Sequence, residues 1–152
     1  GYFHTILSAT TYERYRYQDE VTFEKRDAVG KRNRDVSAAS AIPRWKANLT
    51  MRWMKDQHSV VARANYIHSV KFDGEEINLG ATPPDRISSY TTVDLRYTYR
   101  MPDVYNGRME FTLGSTNIFN READKLPVAG GFESRLHDPF GRRIYFEVGY
   151  DF

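Results

Sequence analysis

The chain has 152 residues, a length that allows one domain with a sizeable core, yet only 40% of them are hydrophobic while aromatics reach 14%, with 11 Tyr and 9 Phe. Its 22 basic residues stand against 20 acidic ones, and a net charge of +2 gives no field that points to nucleic acid as a partner. Nor is there a run of the ~18 apolar residues that a membrane-crossing helix needs, and the absence of Cys excludes disulfides, thiolate metal sites and thiol catalysis.

Gly1, Tyr2 and Phe3 open the sequence with no initiator Met, charged leader or signal peptide, which predicts a segment cut from a longer protein. Residues 2–17 read as a first strand with similarly mixed parities, Phe3, Thr5, Leu7 and Ala9 against Tyr2, His4, Ile6 and Ser8; the Phe3 set is assigned outward. Residues 18–44 read as a long polar loop, in which the mixed-sign run from Asp19 to Asp35 is a solvated stretch and Pro43 a stop.

From residue 45 the alternation is clean. Trp45, Ala47, Leu49, Met51 and Trp53 share one face of a strand over 45–54, and Lys46, Asn48, Thr50 and Arg52 the other. After a short turn at Lys55, Asp56 and Gln57, a strand over 58–68 sets Val60, Ala62, Ala64 and Tyr66 against Arg63 and Asn65. A second long loop, 69–89, carries Pro83 and Pro84. The strand over 90–101 places Val93, Leu95, Tyr97, Tyr99 and Met101 against Asp94, Arg96 and Arg100; a short turn over 102–107 leads to a strand over 108–117, with Met109, Phe111 and Leu113 against Arg108, Glu110 and Thr112. A third long loop, 118–141, holds Pro127, Gly130, Gly131, Pro139 and Gly141. The last strand, 142–152, sets Ile144, Phe146, Val148, Tyr150 and Phe152 against Arg143, Tyr145, Glu147, Gly149 and Asp151.

Short turns alternating with long loops are the habit of outer-membrane barrels, with the short turns on the periplasmic side. Trp45 and Trp53 lie eight residues apart on one face, which at ~3.3 Å per residue and a tilt of about 40° separates them by ~20 Å along the membrane normal. That approaches the ~25 Å apolar band, so each indole is expected at one interface. The opposite face, with Lys46, Arg52, Arg63, Asp94, Arg96, Glu110 and Glu147, would line a wet lumen. A soluble antiparallel barrel or sandwich would alternate too, but would turn the aromatic face into a core and carry shorter, more even loops. Six strands also leave two open edges, which hydrocarbon does not tolerate, so further strands are expected.

Three segments carry a family resemblance. LGSTNIFNREA, from Leu113 to Ala123, resembles the N-L-F-D stretch that ends the penultimate strand of TonB-dependent receptors, with Ile118 where that family commonly has Leu and Asn120 where it commonly has Asp. HDPFGRRIYFEVGYDF, from His137 to Phe152, resembles their last loop and closing strand, and PRWKANLTMRW, from Pro43 to Trp53, is similar to a loop-ending proline with its descending strand. The resemblance implies an all-β, antiparallel transmembrane barrel of about 22 strands, of which this chain is the C-terminal part, about six strands. It further implies an N-terminal plug and a TonB-contacting segment elsewhere in the protein, and energised uptake of a scarce nutrient such as a siderophore, cobalamin or carbohydrate. The expected partners are that nutrient at the extracellular loops, TonB, and outer-membrane lipid and lipopolysaccharide; no cofactor or metal is implied.

Ile144, Phe146, Val148, Tyr150 and Phe152 resemble the C-terminal signal read by the outer-membrane assembly machinery, beside the plainer reading of lipid-facing residues. His68, His137 and Asp138 are expected at or near the extracellular side, where a metal-chelate or haem contact competes with an ordinary place in a loop or rim; His58 falls in a short turn. Phe72, Phe132 and Phe140 are candidates for touching an apolar or sugar-like ligand, and Arg86, Arg135, Arg142 and Arg143 for holding an anionic ligand or lipopolysaccharide phosphates. No nucleophile stands beside a base and no G-x-S-x-G occurs, so the sequence carries no sign of an enzyme. The rival to an import receptor is a passive porin or small structural barrel.

Overall fold

The computed structural model describes residues 1–18, 22–33, 41–73, 84–128 and 130–152. In chain order the strands are β1 (Tyr2–Thr11), β2 (Arg16–Gln18), β3 (Lys25–Asp27), β4 (Lys31–Asn33), β5 (Ala41–Ile42), β6 (Trp45–Lys55), β7 (His58–Ile67), β8 (Val70–Asp73), β9 (Arg86–Ile87), β10 (Tyr90–Val104), β11 (Gly107–Thr116) and β12 (Arg143–Asp151), with no helix among the described residues. The six long strands form one antiparallel sheet in the order β1-β6-β7-β10-β11-β12. Its outer edges at β1 and β12 are unpaired among the described residues, so the sheet is an open arc.

Residues opposite each other across a strand pair share a face, and the register therefore sorts every side chain. Phe3, Trp53, Val60, Tyr97, Leu113 and Phe146 make one continuous row across all six strands. The adjacent row is His4, Arg52, Val61, Arg96, Gly114 and Tyr145. One step along the chain thus exchanges an apolar row for a polar one. The pairing of Phe3 with Trp53 fixes the facing of β1, with the Phe3 set on the aromatic side. That side is open: Phe3 is 63% exposed, Leu113 54% and Phe146 64%, which no packed core beneath the sheet would allow.

The turns are tighter than the sequence suggests. Lys55 pairs with His58, so Asp56 and Gln57 alone connect β6 to β7, and Asp56 takes a left-handed φ of 51°. The expected turn over 102–107 shrinks to the same two-residue length. β10 continues through Pro102 to Val104 with a register shift after Met101, and Tyr105 and Asn106 form the turn at φ 47° and 65°. Two left-handed residues are the type I′ geometry that matches strand twist, and a bulge is where a strand accepts a proline, which has no N–H for the ladder. The Tyr150 hydroxyl donates toward the carbonyls of Val104 and Tyr105, at 3.1 and 3.0 Å, and holds this turn down.

The long loops differ most from expectation. The first strand leaves the sheet after Thr11 instead of running to residue 17, and β2 pairs with β3 as a separate hairpin. β5, β4, β8 and β9 form a four-stranded sheet in which β4 and β8 run parallel. Behind it Val70, Phe72, Ile87, Leu126 and Leu136 pack into a small core drawn from two of the loops, with Ala41 from a third against it. Arg32 closes it with an ion pair to Glu133, Nε to Oε2 2.9 Å, and lies over the Phe72 ring. These segments are therefore folded together instead of being independent polar loops. Of the charge run, Asp19, Glu20 and residues 34–35 lie outside the described residues, as does Pro83.

Gly114 illustrates how tightly the polar face is filled. It pairs directly with Tyr145, whose ring covers it, and a Cβ there would collide with the ring. Gly114→Val is expected to destabilise the full-length protein by ~1–3 kcal/mol, read as a lower urea midpoint in detergent micelles, and adding Tyr145→Ser should recover part of the loss. An unchanged midpoint in the single variant would show that the ring can move aside freely.

Candidate functional site

The polar face of the sheet is a charged wall. Arg100 Nε donates to Glu110 Oε2 at 2.8 Å, Arg96 reaches Glu147 at 3.3 Å, and Arg108 holds Asp151 at 2.9 Å. Thr98 and Thr112 share a hydrogen bond of 2.9 Å and are buried between these pairs. Arg52 and Arg63 face the same side with no ion pair among the described residues. Arg63 is opposite Asp94, but Asp94 Oδ1 instead accepts the Asn117 N–H at 2.9 Å.

That hydrogen bond begins the base of the last loop. Asn117 takes φ 49°, a conformation that Asn tolerates better than other non-glycine residues. Its side-chain amide donates to the Arg121 carbonyl and its Oδ1 accepts the Arg121 N–H, both at 2.8 Å. Asn120, at φ 54°, accepts the Arg142 N–H on its Oδ1 at 2.8 Å. The N-I-F-N stretch is thus a double turn that ties both ends of the loop together. Beside it Tyr90 donates toward the carbonyls of Arg121 and Asp138, and its ring stacks on His137 at 4.5 Å.

The loop candidates scatter. Phe72 is buried in the loop core and His137, 2% exposed, in the loop base. Arg86 is exposed and donates to the Ser69 hydroxyl at 2.9 Å. Phe132 is half-buried and Arg135 exposed, its N–H donating to Glu133. Phe140, 63% exposed, comes together with Arg143, whose guanidinium lies 5.3 Å over its ring, and with Asp138, 3.7 Å from Arg143. Arg142 turns back toward the Ile118 carbonyl. Among the described residues no group of three or more metal-ligating side chains forms.

Aromatics of the open face stand at both ends of the sheet as well as along its middle rows, where Tyr97, Phe111 and Phe146 lie. Near the loops Trp45 stacks on Tyr66 at 4.5 Å and on His68 at 5.6 Å; near the turns lie Trp53 and His58, the latter bonded to the Tyr97 hydroxyl at 2.7 Å and packed on Tyr99. Ile144, Phe146, Val148 and Tyr150 line the open face of β12, with Phe152 after it. Tyr90, Glu133 and Arg32 were not among the sequence candidates. The sequence offered no local sign for them, because each acts across loops distant in the chain.

Residues 2–120 match the family model described as TonB dependent receptor-like, beta-barrel. Comparison with curated proteins and with solved structures returns no match.

Two outcomes follow from the loop base. Asn117→Ala loses two side-chain hydrogen bonds and the tolerance for a left-handed φ, and should cost ~2–3 kcal/mol in stability, while Asn117→Asp, which keeps the acceptor, should cost about half as much; urea unfolding of the full-length protein decides. Burial pushes the His137 imidazole below its ordinary 6.5, against the opposing pull of Asp124. Its Nδ1 accepts the Asp124 N–H at 3.1 Å, which requires the neutral ring. The unfolded loop binds the proton more readily, so the stabilisation is complete above pH 6.5 and is lost as pH falls below it. Protease cleavage of the last loop should therefore accelerate in mild acid, and His137→Asn, which retains an acceptor near Nδ1, should flatten that dependence.

Proposed function

The chain belongs to the TonB dependent receptor-like β-barrel family, a family of outer-membrane receptors that transport and are not enzymes, and from that premise we propose that it forms the C-terminal wall of a receptor for TonB-energised uptake of a scarce nutrient, such as a siderophore, cobalamin or carbohydrate. The observation that carries the reading is the pair of adjacent rows, Phe3 to Phe146 and His4 to Tyr145. A wall with hydrocarbon on one side and a wet lumen on the other needs this alternation.

The open edges at β1 and β12 support a larger cylinder, since unpaired peptide groups are too costly in lipid. In that setting the open aromatic face touches lipid and Ile144 to Phe152 serve as the assembly signal. Arg86, Arg135 and Phe140 stand exposed where a nutrient or lipopolysaccharide would arrive. Ligand capture by the loops, followed by rearrangement of a plug on contact with TonB, is the proposed sequence of events. The folded loop layer, with its Arg32–Glu133 ion pair, supplies a fixed surface for the first step.

Labelled ferric siderophores, cobalamin and oligosaccharides offered to cells with and without the intact gene identify the nutrient. Uptake of that nutrient should then stop when TonB is deleted. Uptake that persists without TonB and rises linearly with outside concentration would mark a passive porin instead.

A further inference from the structure

Arg52, Arg63 and Arg96 come from three neighbouring strands and line one depression of the polar face together with Tyr145. The register sets their spacing. Arg52 and Arg96 lie on either side of Val61 in one row, so their backbones are two strand steps apart, about 10 Å. Arg63 lies two residues along β7 from Val61, diagonal to both. The Tyr145 ring, laid over Gly114, makes a flat floor beside Arg96.

The depression carries more positive charge than its own residues neutralise. Asp94 is the carboxylate in its lining, and one oxygen of that group is engaged by the Asn117 N–H. Arg96 is neutralised by Glu147 at 3.3 Å and by Glu110 at 4.0 Å, the latter shared with Arg100, so the unmatched charge rests on Arg52 and Arg63. The Arg52 and Arg63 side chains have neither an ion pair nor a hydrogen bond among the described residues. The rows toward the short turns behave differently, since Arg100 is matched by Glu110 and Arg108 by Asp151. The surplus therefore sits in one patch of the wall, which runs from Arg52 near the β6–β7 turn to Arg63 and Arg96 at mid-strand. A concave wall of one sign focuses field and concentrates counter-charge, and guanidinium forks suit carboxylate and phosphate oxygens.

We propose that this depression is a binding step for a solute carrying two or more carboxylate or phosphate groups. The inference rests on reading this face as luminal. Two guanidiniums about 10 Å apart by backbone, with a third between them, favour several anionic groups on one solute over a single small anion.

The test is titration of the purified full-length receptor with tricarballylate and with pyrophosphate, using the neutral triamide of tricarballylate as control. Both anions should bind, the triamide should not, and affinity should fall as salt rises. Arg52→Gln with Arg63→Gln should weaken anion binding about tenfold or more, Arg52→Lys with Arg63→Lys less, and Arg108→Gln not at all. Absence of anion binding by the unaltered receptor overturns the proposal. So does unchanged binding in the Gln pair with a lowered unfolding temperature, which would assign the guanidiniums to acidic side chains of the protein itself. Unchanged binding in a receptor whose uptake needs TonB sinks this inference alone, whereas TonB-independent uptake sinks the import reading and leaves the binding result standing.

Discussion

A peptide group in hydrocarbon has no water to bond, so a strand can enter a bilayer only if its neighbours take every N–H and C=O and its outward side chains are apolar. Both requirements shape this chain. The six long strands pair in unbroken antiparallel register, apart from the bulge after Met101, and that bulge lies at the turn end of β10, where water is near. The side chains obey the second requirement through period-two alternation, because neighbouring rows of the sheet have opposite chemistry.

The same constraint explains where the chain keeps its buried residues. A soluble domain of this length would place its largest aromatics between layers; here the packed interior lies in the loops, around Phe72 and Leu136, and the sheet carries its aromatics on the open face. Loop segments in water must satisfy their own backbone groups. They do so through the four-stranded layer of β5, β4, β8 and β9 and through the Asn117 and Asn120 turns. The result is a hydrogen-bonded loop base beside a charged wall.

Much of the sheet was legible in the sequence because alternation is a local signal. Charges on one parity, as at Arg63 and Arg96, mark the wet side without knowledge of any partner strand. Pro102 misled, since a proline usually ends a strand, and only the register shows the bulge that accommodates it. The loop layer was not legible. Val70, Ile87 and Leu126 come from separate segments, and the parallel pairing of β4 with β8 joins residues some forty positions apart. The mixed face of β1 was settled by its pairing with Trp53. At the candidate site, Asn117 was visible as part of a family resemblance, whereas its physical reason, a left-handed turn closed by its own amide, needed the structure. The family match extends the resemblance back to residue 2, over a stretch whose sequence gave pattern alone.

Sidedness can be measured directly by site-directed labelling, to which these 152 residues contribute no native Cys. Single Cys replacements at Glu110, Phe111, Thr112 and Leu113 of the full-length receptor, spin-labelled after reconstitution into bilayers, report collision with oxygen, which dissolves in lipid, and with a water-soluble nickel chelate. Labels at 111 and 113 should collide with oxygen and those at 110 and 112 should not, giving a period of two. Equal accessibility along the four positions, or oxygen contact at 110 and 112 instead, would contradict the membrane placement and the transport role built on it.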